Sequence, residues 1–333
     1  LEYTLYDGLL TGLAALLLGC AAGFPALALL SEAAGILRKK VFMHKFAQQY
    51  ARIGLLFVYA VTLAVAAAWA ASHYILDFFL PDISGFWIEY EIFWDFSLYL
   101  SVIASVLMSI YYFTWKALSK IKALHMTIGI LANICATAFL ILLGWAFYRE
   151  LLILPEIAPD LNSIFLPLAA QAFLLSLAAA AVTGMLYLLL RRSRDDFGRD
   201  YYRFALAFGA RWGIMFAALS PLTCLWLFML MEDALTYDYI AIPGAVYSLS
   251  LIIMAIILWR ISRSEQPMRN KLAIIICPLF IWLIFVARFV SYLEFTNMDQ
   301  GEVVIHTFIR DWPLTFQDFK GIFPQVNFLP SGQ

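Results

Sequence analysis

The chain has 333 residues, of which 64% are hydrophobic and only 14% charged, and its formal net charge is −1. A composition this apolar excludes an ordinary soluble domain, where roughly half of the residues are apolar, and a near-neutral balance gives no electrostatic footprint for nucleic acid. The solvent these residues fit is a bilayer, since about 20 consecutive apolar residues let a helix cross the roughly 30 Å hydrocarbon core.

In chain order, apolar runs occupy 8–30, 53–73, 93–113, 123–147, 164–190, 206–231, 240–259 and 272–293. None shows the alternation of an outer-membrane strand, so the pattern predicts an all-α integral membrane domain of eight helices over 1–293, followed by a tail over 294–333. The first run has no basic start and no small-residue cleavage site, and reads as a span, not a cleaved signal.

The basic residues gather in alternate loops. Arg38, Lys39, Lys40, Lys45 and Arg52 follow the first run, and Lys116, Lys120 and Lys122 follow the third. Arg191, Arg192, Arg194, Arg199 and Arg203 follow the fifth, and Arg260, Arg263, Arg269 and Lys271 the seventh. The other loops and the ends hold only Arg149, Arg310 and Lys320. The positive-inside bias therefore predicts cytoplasmic odd-numbered loops and both termini on the outer, periplasmic side. Acids such as Asp82, Glu89, Glu91, Glu232 and Asp299 fall on that outer side, where a basic partner could dock.

Aromatic residues crowd 78–94, a stretch expected to lie along the outer membrane surface. In the tail, Pro313, Pro324 and Pro330 break up the apolar residues and argue against a ninth span. The four cysteines fall inside predicted helices with no metal-ligand spacing and read as packing residues. Loops one and five share a basic opening, LRKK at 37–40 and RRSR at 191–194, which hints at a repeat of four helices.

Arg211 and Arg288 are the basic residues in spans that no loop accounts for. An intramembrane charge must snorkel, be paired or serve function. Arg211 is within snorkelling reach of a headgroup layer. Arg288 points to the outer side, together with His73, Glu89 and Glu232, and these four are the candidate contacts for a quinone or for a partner's haem. No acid falls near the centre of a predicted span, and HExxH, phosphate-loop and nucleophile–base patterns are missing.

Three segments carry a family resemblance. SEAAGILRKKVFMHKFAQQYARIGLL at 31–56, WKALSKIKALHMTIGILANICATAFLILLGWAFYR at 115–149 and AAAAVTGMLYLLLRRSRDDFGRDYYRFALAFG at 178–209 resemble, in order, spacing and orientation, subunit I of the cytochrome bd quinol oxidases. The resemblance implies two four-helix bundles in a bacterial inner membrane. In that family there is also a ninth helix, three haems and a long quinol-binding loop between helices six and seven.

Haem iron needs an axial donor such as His, Met or a carboxylate. Aligned on Glu32, His125, Val182–Gly184 and Trp259, the positions expected to hold those donors are occupied by Ala14, Leu98, Val106, Leu175, Pro243 and Phe285, none of which can ligate iron. His125 matches a family histidine in the motif HM, and at the start of a helix it is expected to cap or to hydrogen-bond. The segment between helices six and seven, MEDALTYDYI, is too short for the quinol loop.

The expectation is a non-haem membrane subunit of a respiratory quinol-linked electron-transfer complex, a scaffold that binds no cofactor alone and docks a haem-bearing membrane subunit or a periplasmic multihaem cytochrome. Two alternatives stay open. One is a subunit that binds quinol itself and passes electrons to a partner cytochrome; the other is a transporter or channel. Lipid is an expected partner in each case, and nucleic acid in none.

Overall fold

A computed structural model describes residues 2–71, 91–151, 161–195, 197–230 and 237–297. They fold into eight long helices: α1 (Glu2–Arg38), α2 (Val41–Ala71), α3 (Glu91–Phe113), α4 (Lys122–Leu151), α5 (Leu161–Arg191), α6 (Arg199–Leu230), α7 (Tyr237–Arg263) and α8 (Lys271–Asn297). Two short 3-10 turns, Ala117–Lys120 and Pro267–Asn270, precede α4 and α8. There is no strand among the described residues. All eight helices are long and apolar enough to cross a membrane.

The helices outrun the apolar segments, and most of all at the basic end. α1 continues from the expected limit at residue 30 to Arg38, and α2 begins at Val41, well before the expected 53. What reads as a long basic loop is a tight turn at Lys39 and Lys40, with Lys39 at φ 52°. The added turns are amphipathic: on α2, Met43, Phe46, Ala47, Tyr50 and Ala51 are buried while Phe42 and Lys45 are not. At about 1.5 Å per residue, a helix of 31 residues is longer than the hydrocarbon core is thick. The added turns form a packed collar at the basic end, where Arg38, Lys120, Arg191 and Arg263 lie.

Consecutive helices pack along α1–α4, and α4 returns to α1; α5–α8 do likewise, with α8 returning to α5. α1 and α5 are the most enclosed helices and lie against each other. Their seam is made of small residues, because without a solvent-driven force close backbone contact supplies the attraction. Ala178, Ala179, Ala180 and Ala181 are fully buried. At Gly23 a Cβ would sit 2.1 Å from the Ser176 carbonyl oxygen.

At the basic end α2 and α6 meet through aromatic rings. Phe46 stacks on Tyr50 at 4.0 Å and meets Phe208 edge-on at 5.0 Å, while Phe42 lies 5.8 Å from Phe204. The Tyr50 hydroxyl donates to the Ala181 carbonyl at 3.0 Å, which ties α2 to α5. Each ring pair adds about 0.5–1.5 kcal/mol beyond the area it buries.

Candidate functional site

Of the four residues expected to contact a quinone or a partner's haem, His73, Glu89 and Glu232 lie outside the described residues. So do residues 78–90 of the expected surface stretch and the tail beyond Asn297. Arg288 is half-buried two thirds of the way along α8. Arg211 is exposed on α6, where its side chain can run along the helix toward a headgroup layer.

The chemistry among the described residues is concentrated elsewhere, in a cluster where α1, α3 and α4 meet near the basic end. Glu32 on α1, Tyr111 on α3 and His125 on α4 are all buried, at 5%, 1% and 3% exposure. The Tyr111 hydroxyl donates to Glu32 Oε2 at 2.5 Å, and His125 Nδ1 lies 3.0 Å from Glu32 Oε1. The second ring nitrogen, Nε2, lies 3.0 Å from the Tyr111 carbonyl oxygen. The imidazole stacks on the Tyr111 ring at 4.4 Å, and Trp115 closes it edge-on at 4.9 Å. Gly129, one turn further along α4, leaves room for the phenol: a Cβ there would be 2.8 Å from Tyr111 Cε2.

The partners limit where the protons can be. A carbonyl only accepts, so Nε2 carries a hydrogen that it donates to Tyr111. If Glu32 is ionised, Nδ1 must donate as well and the ring is imidazolium; if Glu32 is protonated, its hydroxyl donates to a neutral ring. One proton is shared between Oε1 and Nδ1, and the pair is neutral overall in either form. That neutrality is what makes a carboxylate tolerable in such a buried place. The pairing also resolves a helix end. The last carbonyls of α3 have no intrahelical donor, and His125 caps that of Tyr111, where a positive ring is favoured by the helix dipole. His125 thus hydrogen-bonds as expected, but it caps the end of α3 and not the start of its own helix.

The expected end of the first span at residue 30 needs correction, because α1 runs on through Glu32 to Arg38 and carries that carboxylate near its end. A single-sequence reading ends the first span at 30 because Ser31 and Glu32 follow the apolar run. The partners that neutralise Glu32 are 79 and 93 residues away, so nothing local signals that the helix goes on with the carboxylate packed inside.

A second constellation joins the two sets of four helices at the basic end. Arg191 grips Asp195 with two hydrogen bonds, Nε to Oδ2 at 2.6 Å and Nη2 to Oδ1 at 3.0 Å, and Arg52 of α2 reaches Oδ2 at 3.4 Å. The Tyr202 hydroxyl donates to the Asp195 carbonyl. Arg191's fork, followed by the charges of Arg52 and Arg194, holds the Asp195 carboxyl below its usual range against the effect of partial burial. A carboxyl depressed in this way stabilises the fold above its unfolded pKa, and the contribution fades as the pH falls through the folded value. Asp195→Asn is therefore expected to lower the melting temperature in detergent at pH 7. That deficit should stay level down to about pH 5 and shrink below about pH 4. A deficit independent of pH throughout would show that the carboxylate's charge is not what holds the turn.

In α5–α7, Gln171 Nε2 donates to Cys224 Sγ at 2.6 Å and to the Tyr247 hydroxyl at 3.3 Å, and Tyr247 pairs with Ser220 at 2.7 Å. Gln171 is thus a polar clasp between helices, while Ser176 bonds back to Ala172 of its own helix at 2.6 Å and packs at the seam. Among the described residues no group of three or more His, Cys, Asp or Glu side chains could hold a metal ion.

Comparison with known proteins returns no family model, no curated protein and no solved structure that matches this chain.

Proposed function

We propose that the chain is a haem-free membrane subunit of a respiratory, quinol-linked electron-transfer complex, similar to subunit I of the cytochrome bd oxidases and serving as scaffold and docking partner for a haem-bearing subunit. In this reading α1–α4 and α5–α8 are two four-helix bundles in a bacterial inner membrane, with both ends on the outer side. The observation that carries it is the contact between Glu32 and His125. These residues belong to two separate segments of the resemblance, and a related scaffold gives them a reason to meet in one buried cluster. The orientation is supported by the basic collar formed around Lys39, Lys116, Arg192 and Arg269.

The haem does not fit. The positions where the family would hold it carry Ala14, Leu98, Val106, Leu175, Pro243 and Phe285, which have no donor for iron. The haem of the complex therefore belongs to a partner, a membrane subunit or a periplasmic multihaem cytochrome docked on the acidic outer loops. A quinone, if this chain contacts one, would meet Arg288 and the outer residues His73, Glu89 and Glu232.

Purification of the assembly with a reduced-minus-oxidised spectrum and its subunit composition tests the proposal. Haem bands should follow a co-purifying subunit and be missing from the separated chain. Haem retained by the chain alone overturns the proposal, and so does purification in functional form with no redox partner. Arg288→Ala in the intact assembly should slow quinol oxidation if the chain lines the quinol site; an unchanged rate removes that residue from it.

A further inference from the structure

We propose that a cleft at the basic end of α5 and α8 binds the phosphodiester headgroup of an anionic phospholipid. The cleft has a volume of about 430 Å³ and is lined by Leu189, Arg192, Ser193, Met268 and Lys271. It opens where α5 ends at Arg191 and where the 3-10 turn Pro267–Asn270 leads into α8. The stretch of α5 long and apolar enough to cross a membrane ends at Arg191 and that of α8 begins at Pro267, so the cleft sits at the end of both, where a headgroup layer would meet them.

The lining suits such a ligand on three counts. Arg192 and Lys271 are exposed and form no ion pair or hydrogen bond among the described residues. The nearby acid Asp195 is already engaged by Arg191 and Arg52, and Glu265, exposed just before the turn, is not part of the lining. Two cations therefore line the cleft, among the described residues no acid lines it with them, and Ser193 adds a hydroxyl. Leu189 and Met268, both half-buried, form the apolar part of the wall. A free phosphate would have no use for that apolar surface, whereas the glycerol backbone and first methylenes of a lipid would cover it. Basic pockets between membrane helices at the cytoplasmic surface are suited to such headgroups, each cation near the surface contributing attraction. On the orientation proposed above, the lipid comes from the cytoplasmic leaflet, but binding itself does not depend on the subunit assignment.

The test is native mass spectrometry of the full chain in detergent, titrated with dioleoylphosphatidylglycerol and, separately, with dioleoylphosphatidylcholine. The wild type should retain one phosphatidylglycerol that the double variant Arg192→Gln/Lys271→Gln binds about 30-fold more weakly, the effect expected of two surface cations. Phosphatidylcholine should show no such site. Met268→Trp, which fills the cleft and keeps both charges, should also weaken retention. A control double variant, Arg260→Gln/Arg263→Gln, removes two cations from the end of α7 and should leave the site intact. Equal loss in the control would reduce the effect to general surface charge and overturn the proposal. Unchanged retention in the double variant, or displacement of the lipid by millimolar inorganic phosphate, would overturn it as well.

Discussion

Replacing Glu32 by alanine is expected to cost about 3–5 kcal/mol of stability, the penalty for removing one partner from a buried, hydrogen-bonded charge pair. The variant leaves the Tyr111 hydroxyl without its acceptor and His125 Nδ1 facing a void, in a place where neither can reach bulk water. Glu32→Gln should be milder, about 1–2 kcal/mol. Its amide oxygen can accept from Tyr111 and its amide nitrogen can donate to a neutral Nδ1, so every group keeps a partner and only the shared proton is lost. His125→Ala removes both the partner of Glu32 Oε1 and the cap on the Tyr111 carbonyl. Because Glu32 and His125 share one proton, the double variant Glu32→Ala/His125→Ala should lose less than the sum of the singles, with a coupling of about 1–3 kcal/mol. Thermal unfolding in detergent measures all four proteins. Additive losses would mean that the two side chains are neighbours without being a pair.

The order of these effects separates two roles for the cluster. If Glu32 and His125 serve only to lock α1, α3 and α4 together, Glu32→Gln keeps activity in the complex proposed above because the hydrogen-bond framework survives. If the shared proton itself is used, Glu32→Gln impairs turnover while the fold persists. The present geometry provides the framework in either case: Tyr111 holds one carboxylate oxygen and the backbone of α3 orients the ring, so Oε1 and Nδ1 are held facing each other.

The eight helices were legible in the sequence because burial in lipid requires only a run of apolar residues, and such a run is a local property. Their true lengths were not. α2 begins 12 residues before the expected 53 at Val41, since Phe42, Phe46 and Tyr50 are spaced as one face of a helix that packs on α6 through Phe204 and Phe208, partners more than a hundred residues on. The same holds for the site. Arg288 and Arg211 stand out in a sequence as charges in apolar runs, whereas Glu32 sits at the edge of one and becomes meaningful only when α3 and α4 fold against it. His125 could be read as a hydrogen-bonding residue from its place at the start of a helix, but the identity of its partners is set by the α1–α3–α4 packing. The seam of small residues was not read from the sequence either: four consecutive alanines at 178–181 face all sides of α5, and only the fold shows that Ala180 is the one set against Gly23 of α1.

Gly23→Ala tests that seam and should be among the most damaging single-methyl additions in the chain. The new Cβ would lie 2.1 Å from the Ser176 carbonyl oxygen, 2.6 Å from its carbon and 2.9 Å from Ala180 Cβ. Two of these three atoms are backbone in the middle of α5, so no rotamer change relieves the clash and the two helices must move apart by about 1 Å to restore ordinary contact distances. Overpacking of this kind costs about 1–3 kcal/mol and occasionally more, and here the separation would also loosen the buried alanine contacts along the seam. Two other glycines calibrate the result. At Gly8 an added Cβ would meet a side-chain methyl, Val290 Cγ2 at 2.7 Å, which can rotate away, so Gly8→Ala should cost less. At Gly198 it would meet nothing within 4 Å, and only the φ of +83° opposes it, a penalty of about 1–2 kcal/mol confined to the turn. The expected order of melting temperatures in detergent therefore places Gly23→Ala lowest. Adding Ser176→Gly should not rescue it, because the obstructing atoms are those of the Ser176 backbone and remain when the side chain is gone. Rescue by that second change would show that the helices meet through the serine hydroxymethyl group and that the backbones are not in contact.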